Sequence, residues 1–225
     1  EIPDFEFDGN QLSSFSEVSY IHTKEKTEWV TGANVWTDKF TEKKLTDFPV
    51  RDYNMTTFGL FVQNNTKITD WMNLETGLRT DYITDYGFAV LPRISSHFKI
   101  TEKFSSRIGG GFGYKAPTIF SEDSERIQFQ NVLPIDDDIN KLERSYGANV
   151  DFTYKTGLFN DQVFLSINQL FFYTYLKNPL ELQSADNNRW QFNNIDGHVD
   201  SKGAETNMKI KYKDFGLFVG YTYTD

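Results

Sequence analysis

The side chains best suited to catalysis or metal binding are few in this sequence and widely separated. Its three histidines, His22, His97 and His198, lack the spacing of a metal-ligand set. The chain contains no cysteine, so it offers no disulfide, no zinc-thiolate site and no thiol nucleophile. No set of nucleophile, base and orienting group emerges from the remaining residues. The sequence therefore predicts no catalytic residue, no metal, no cofactor and no enzymatic activity.

Two other segments have the composition of a ligand site without its spacing. An acidic segment has the oxygen ligands of a calcium loop, but it lacks the glycine and the closing glutamate at the required offsets. We therefore expect a solvated loop at Asp136, Asp137, Asp138 and Asn140. A glycine-rich segment precedes a lysine, as in a phosphate loop, but no serine or threonine follows that lysine and no helix begins there. Its residues, Gly109, Gly110, Gly111, Gly113 and Lys115, instead belong to a strand in which glycines leave room for a close neighbour.

The strand that contains these glycines has two different faces. Side chains on a strand point alternately to opposite sides, which places the apolar residues together. One face holds Phe104, Ser106, Ile108, Gly110, Phe112 and Tyr114, and the other is small and cationic. Comparable alternation recurs in residues 15–23, 29–39, 57–67, 72–82, 88–100, 146–155, 163–176, 204–212 and 217–224. Helical periodicity is nowhere sustained, so we predict an all-β protein, an antiparallel up-and-down meander of about ten strands.

The predicted connections differ in length at the two ends of the meander. Those near residues 24, 69, 101, 157 and 214 are short, and an up-and-down path puts all of them at one end. Residues 1–10, 41–54, 118–144 and 183–189 are expected to be irregular. Short turns at one end and longer loops at the other are typical of outer-membrane barrels.

The polar strand faces and the tryptophans each allow two interpretations. The charged faces either line the wet interior of a barrel or form the solvated side of an ordinary antiparallel sheet. They carry Glu75, Arg79, Asp81, Arg93, His97, Lys99, Arg107, Lys115, Asp151, Lys155, Glu205, Lys209 and Lys211. The four tryptophans either lie at a membrane interface or pack in a core. They are Trp29, Trp36, Trp71 and Trp190.

Several short motifs resemble one family in their order along the chain. Tyr114-Lys115-Ala116-Pro117-Thr118, followed by Glu122, resembles a signature of TonB-dependent outer-membrane receptors, in which a rising strand breaks at Ala-Pro. Further segments resemble barrel strands of that family and the segments that re-enter the barrel after its loops. They are residues 58–63, 75–81, 142–145, 192–197, 202–205 and 221–225.

The resemblance implies that residues 1–225 are a partial receptor barrel domain, drawn from a barrel of about 22 strands and lacking the plug domain and the last strands. It implies TonB-energised uptake of a scarce nutrient, such as a ferric siderophore, cobalamin or a glycan, across the bacterial outer membrane. The expected partners are outer-membrane lipid, an N-terminal plug domain, the TonB complex and the nutrient. Exterior loops would bind the nutrient, and the candidate contacts are Glu122, Arg126, Asp137 and Trp190.

Two other classes of protein fit the alternation alone, a soluble β-sandwich or adhesin-like binding module and a passive porin-type channel. The net charge of −9 argues against nucleic acid as a partner. The chain starts without a signal peptide and stops just after an alternating run, so we expect a piece of a longer protein. Such a piece would expose open sheet edges and is expected to self-associate.

Overall fold

Ten long strands form a single antiparallel sheet. The structure, a computed structural model, describes residues 6–45 and 47–225. The sheet strands are β1 (Gly9–Lys24), β2 (Thr27–Glu42), β3 (Tyr53–Lys67), β4 (Met72–Ile83), β5 (Gly87–Lys99), β6 (Phe104–Lys115), β7 (Glu143–Leu158), β8 (Val163–Lys177), β11 (His198–Tyr212) and β12 (Phe215–Thr224). Each strand pairs with the next in this order. The prediction of an all-β, antiparallel up-and-down meander of ten strands is confirmed.

The connections differ at the two ends of the sheet as the sequence predicts. At one end, here called the turn end, short connections join β1 to β2, β3 to β4, β5 to β6, β7 to β8 and β11 to β12. At the other end, the loop end, residues 116–142 join β6 to β7 and residues 178–197 join β8 to β11. Among the described residues, no helix is long and apolar enough to cross a bilayer.

Two segments that the sequence analysis leaves irregular contain regular structure. Helix α1 (Glu122–Arg126) lies inside the long connection after β6, and its N-terminus is capped by the Ser121 side chain, which accepts from the Ser124 N–H. The polar segment 183–189 is the tip of a hairpin of β9 (Leu180–Ala185) and β10 (Arg189–Asn194). The expectation of irregular loops was wrong at these two places. Most sheet strands are also longer than predicted, because the ladder continues through polar residues at their ends.

The two faces of the sheet differ in chemical character, one being mainly apolar and the other mainly polar. Directly paired residues of neighbouring strands share a face, so the register traces rows across the sheet. One row of successive partners is Ile108, Val150, Phe171, Ala204 and Tyr223, and it belongs to the apolar face. The adjacent row is Lys67, Asn73, His97, Arg107, Asp151, Leu170 and Glu205, and it belongs to the polar face. The apolar side chains are not covered: Leu60 is 65% exposed and Ile108 is 53% exposed.

The sheet forks at the loop end between β5 and β6. Their pairing runs from Lys99 opposite Ser105 to Arg93 opposite Gly111 and then ends, although both strands continue. The residue that follows this ladder on β5 is Pro92, which has no N–H to donate. Beyond this point β6 pairs only with β7.

The fork corrects the predicted orientation of Tyr114. Strict alternation places Tyr114 on the apolar face with Ile108 and Phe112, whereas its hydroxyl donates to Asp81 Oδ2 at 2.9 Å. Asp81 belongs to the polar side of β4 and is 2% exposed. Because the end of β6 is released from β5, the ring can turn into the fork and pack against Ile83, Ala89 and Leu142.

Candidate functional site

The long connections at the loop end fold together into one body, here called the lid. It consists of residues 116–142 and the β9–β10 hairpin. Its buried core is formed by Phe40 from the end of β2 together with Ile119, Val132 and Phe192. Half-buried side chains close around this core, namely Phe7, Tyr53, Phe120, Ile127, Ile135, Leu180, Leu182 and Trp190. The lid is therefore a packed structure with its own hydrophobic core.

Backbone hydrogen bonds join the two parts of the lid. Val132 and Trp190 form a parallel bridge, in which the Trp190 N–H donates to Asn131 O and the Leu133 N–H donates to Trp190 O, both at 2.8 Å. The buried Asn140 side chain donates to Phe192 O at 2.9 Å. Each bond satisfies a backbone group that packing has removed from water.

The base of the lid is held by Glu143 at the start of β7. Its Oε1 accepts the Leu180 N–H at 2.9 Å, and its Oε2 lies 3.9 Å from Lys115 Nζ. Lys115 is its direct partner across the β6–β7 ladder. A single carboxylate thus connects the end of β6, the start of β7 and the start of the hairpin.

A buried polar network crosses the sheet below the lid. The Arg79 guanidinium donates to Asn34 Oδ1 at 3.1 Å and to Asp81 Oδ2 at 3.0 Å, and Asp81 also accepts from Tyr114. These residues belong to β2, β4 and β6, so the guanidinium passes over β3. It does so at Gly59, where a Cβ atom would lie 2.6 Å from Arg79 Nη2 and 2.7 Å from Asp81 Oδ1. A larger residue at this position would have to displace the Arg79 and Asp81 side chains.

The polar face also carries a shallow groove of about 660 Å³ toward the turn end. Its floor is glycine from β6 and β7, with Gly111 directly opposite Gly147. Its wall includes the ion pair of Arg93 with Glu75, together with Asn65, Asn73, His97, Arg107 and Asn149. The missing side chains let another polypeptide or ligand approach the backbone closely at this groove.

A second region of open space lies at the loop end beside the lid. Two cavities of about 650 Å³ and 100 Å³ share Asp85, Ile135 and Asp137 in their walls. The Tyr86 hydroxyl donates to Asp137 Oδ1 at 3.0 Å. Burial, followed by the charge of Asp137 and the hydrogen bond to it, raises the pKa of Tyr86. The phenol therefore stays protonated, and remains a hydrogen-bond donor to Asp137, to a higher pH than an ordinary tyrosine.

The four residues predicted to contact ligand occupy different environments of the loop end. Arg126 Nη2 lies 3.3 Å from Glu122 Oε1 on the exposed side of α1. Asp137 lines both cavities beside the lid. Trp190 is half-buried and packs on the lid core, as the packing interpretation expects. Asp137 is thus the one of the four that lines the cavities beside the lid.

The sequence analysis missed several residues that organise this region. Arg51 and Asn140 are buried polar residues, and Glu42 is the carboxylate that pairs with Arg51. The expectation of a solvated loop was wrong at Asn140, which is 3% exposed and donates to Phe192 O. The burial of Arg51 and Asn140 could not be deduced from the local sequence, because the carbonyls of Phe129 and Phe192 that they bind are distant along the chain. Glu143 lies in one of the motif segments, although its role was not identified. Across residues 6–45 and 47–225, no group of three or more His, Asp and Glu side chains is placed to hold a metal ion.

The comparison with family models agrees with this architecture. The model described as TonB dependent receptor-like, β-barrel, matches residues 4–225. The chain belongs to this family. No curated protein sequence matches the chain.

Solved structures of low sequence identity share the fold. The siderophore receptor PirA of Pseudomonas aeruginosa is 17% identical to this chain, with a TM-score of 0.71. The match covers 97% of this chain and 40% of that receptor. The iron transporter FrpB of Neisseria meningitidis is 15% identical, with a TM-score of 0.76, and the match covers 96% of this chain and 36% of that transporter. The hemophore receptor HasR of Serratia marcescens is 15% identical, with a TM-score of 0.73, and the match covers 97% of this chain and 41% of that receptor. This chain thus spans about two fifths of the length of these receptors.

Proposed function

We propose that this chain forms part of the barrel wall of a bacterial outer-membrane receptor that takes up a scarce nutrient with energy from TonB. The observation that carries the proposal is the combination of one ten-stranded sheet with a family match over residues 4–225. Siderophore, iron and hemophore receptors share the fold, which favours an iron-containing nutrient over cobalamin or a glycan. The wall itself binds and guides, and it performs no covalent chemistry.

The two faces of the sheet support a position in a membrane. An apolar belt that faces outward and a polar surface that faces inward are the requirements of a transmembrane barrel. Aromatic side chains lie at the turn end. There the rings of Trp71 and Phe98 stack with their centroids 6.1 Å apart, and Trp29 is exposed near the start of β2. Trp36 departs from this pattern, since it pairs with Phe15 and Thr57 in the middle of β2. The turn end then faces the periplasm, and the lid lies outside the cell.

The alternative classes are less well supported. A β-sandwich needs two sheets packed face to face, whereas the ten long strands here form one sheet with an exposed apolar face. A passive channel is less well supported, because the family model that matches this chain describes TonB-dependent receptors. The net charge of −9 disfavours nucleic acid as a partner.

The remaining partners follow from the same proposal. We propose that residues 1–225 are the central to C-terminal part of the barrel domain and that a plug domain from elsewhere in the receptor packs on the polar face. The glycine floor of the 660 Å³ groove provides room for such a contact. Asp137 is the strongest of the four proposed nutrient contacts, and Glu122, Arg126 and Trp190 remain proposals with it.

Growth under nutrient limitation tests this function. The receptor gene would be deleted and the strain supplied in turn with a panel of ferric siderophores, haem, cobalamin and oligosaccharides as sole source of the nutrient. We expect the deletion to abolish growth on one compound, and a TonB deletion to abolish it equally. Unchanged growth on every compound, or growth that requires the receptor but not TonB, would refute the proposal.

The physical state of the isolated chain gives a second test. Open edges and an exposed apolar face favour association when lipid is absent. We expect residues 1–225 alone to self-associate in buffer without detergent, as measured by light scattering. A stable dilute monomer would instead support the soluble binding module.

A further inference from the structure

We propose that Arg51 is the positioning residue that holds the lid as a single body over the loop end of the sheet. The inference goes beyond the proposed function, on which it rests only in taking the lid to be the nutrient-facing part. Arg51 is 3% exposed although it lies in the connection between β2 and β3. A buried arginine is unfavourable unless its charge and its N–H groups are all matched.

The matching groups come from three separate segments. The Arg51 backbone N–H and side-chain Nε donate to Glu42 Oε2 at 2.7 and 2.8 Å, and Nη2 pairs with Glu42 Oε1, so the contact is bidentate. The Nη1 atom donates to Phe129 O at 2.6 Å. The guanidinium carbon lies 4.6 Å from the centre of the Phe7 ring, which in turn stacks on Phe129. Arg51 therefore ties the end of β2 to the lid.

The contact with Phe129 falls on an unusual piece of backbone. Gln128, Phe129 and Asn131 have φ angles of 53°, 59° and 57°, a left-handed conformation that side chains with a Cβ adopt at a cost. Such a turn persists only where its surroundings fix it, and Arg51 binds the carbonyl at its centre. The turn places Asn131 and Val132 beside Trp190 of β10. The parallel bridge that they form with Trp190 connects the turn to the hairpin. Arg51 thus positions the hairpin without touching it.

The test compares local opening of the lid in variants of the full-length receptor, purified in detergent and measured by hydrogen–deuterium exchange. Arg51→Ala removes the positioning contact. Glu42→Gln/Arg51→Met removes both charges, so that no unpaired charge remains buried and the protein still folds. Arg126→Ala is the matched control, because Arg126 is an arginine of the same lid but pairs only at its exposed surface.

If the lid is one body, Arg51→Ala accelerates exchange by about a hundredfold or more in residues 128–133 and equally in the hairpin residues 189–194, with the turn end unchanged. The double variant accelerates exchange in both segments to a smaller extent, about 5-fold to 150-fold, because only the Phe129 carbonyl loses its donor, and it is obtained in wild-type yield. The control shows no acceleration. Acceleration restricted to residues 128–133, or a hairpin that stays protected in the double variant, overturns the proposal. These results do not depend on uptake, so failure here is distinct from failure of the proposed function.

Discussion

Replacing Ile108 by arginine tests the orientation of the whole sheet. Ile108 lies four residues beyond Phe104, the first residue of β6. At ~3.3 Å per residue and a strand tilt of ~40°, it stands ~10 Å above the turn end, near the middle of an apolar belt ~25 Å tall. Arginine on the lipid face at this depth costs about 2–4 kcal/mol, which lowers the folded-to-unfolded ratio by roughly 30-fold to 1,000-fold.

The matched control is Asn207→Arg, at a similar depth on the opposite face. Asn207 pairs with Gly220, whose missing side chain leaves room for the new one, and Glu205 lies beside it to pair with the new guanidinium. Both variants of the full-length receptor would be refolded into phospholipid vesicles and unfolded with urea. We expect Ile108→Arg to be destabilised by the stated amount and Asn207→Arg to stay within about 0.5 kcal/mol of wild type. Equal stability of the two variants would refute the assignment of the faces.

Three further changes probe the network and the lid. Gly59→Ala forces its new Cβ against Arg79 and should lower the stability by about 1–3 kcal/mol, measured by urea unfolding, whereas an unchanged midpoint would contradict the crossing over β3. Asn140→Ala leaves Phe192 O buried without its donor, so exchange of the hairpin should accelerate by an amount equivalent to about 1–3 kcal/mol. The raised pKa of Tyr86 gives the lid a stabilisation that is complete below about pH 10 and is lost as the pH rises through the folded-state pKa. Tyr86→Phe should reduce this dependence in unfolding curves measured between pH 8 and 12, and an unchanged dependence would assign it to other groups.

The sheet was predictable because its signal is local. Alternation of period two places residues on faces whatever the partner strand is, and the observed register pairs the apolar sides of β3, β4 and β5, as in Phe58, Tyr82 and Phe88. Tyr114 shows where this reasoning ends. Its orientation depends on the loss of pairing after Gly111, which is a property of two strands and cannot be deduced from the alternation of one.

The lid was not predictable to the same extent, because its core assembles from distant segments. Phe40, Ile119 and Phe192 meet only after the sheet has brought β2, β6 and β8 to the same end. The hairpin did carry a local signal. Leu180 and Leu182 alternate with polar residues, and residues 186–188 form its tip, where Asn187 and Asn188 adopt φ angles of 61° and 58°. Asparagine tolerates that conformation, so the polar segment could have been interpreted as a turn.

The distribution of buried apolar side chains explains why so much of this chain depends on its surroundings. Among the described residues, the fully buried hydrophobic side chains are Phe40, Ile83, Ala89, Ile119, Val132, Leu142 and Phe192, and all of them lie at the loop end. The sheet below has hydrogen-bonded ladders but no core of its own. Its apolar face therefore gains the free energy of burial only when another phase covers it, and a bilayer does so without supplying competing hydrogen bonds. The lid, in contrast, buries its own core, so its shape does not depend on being covered by another phase.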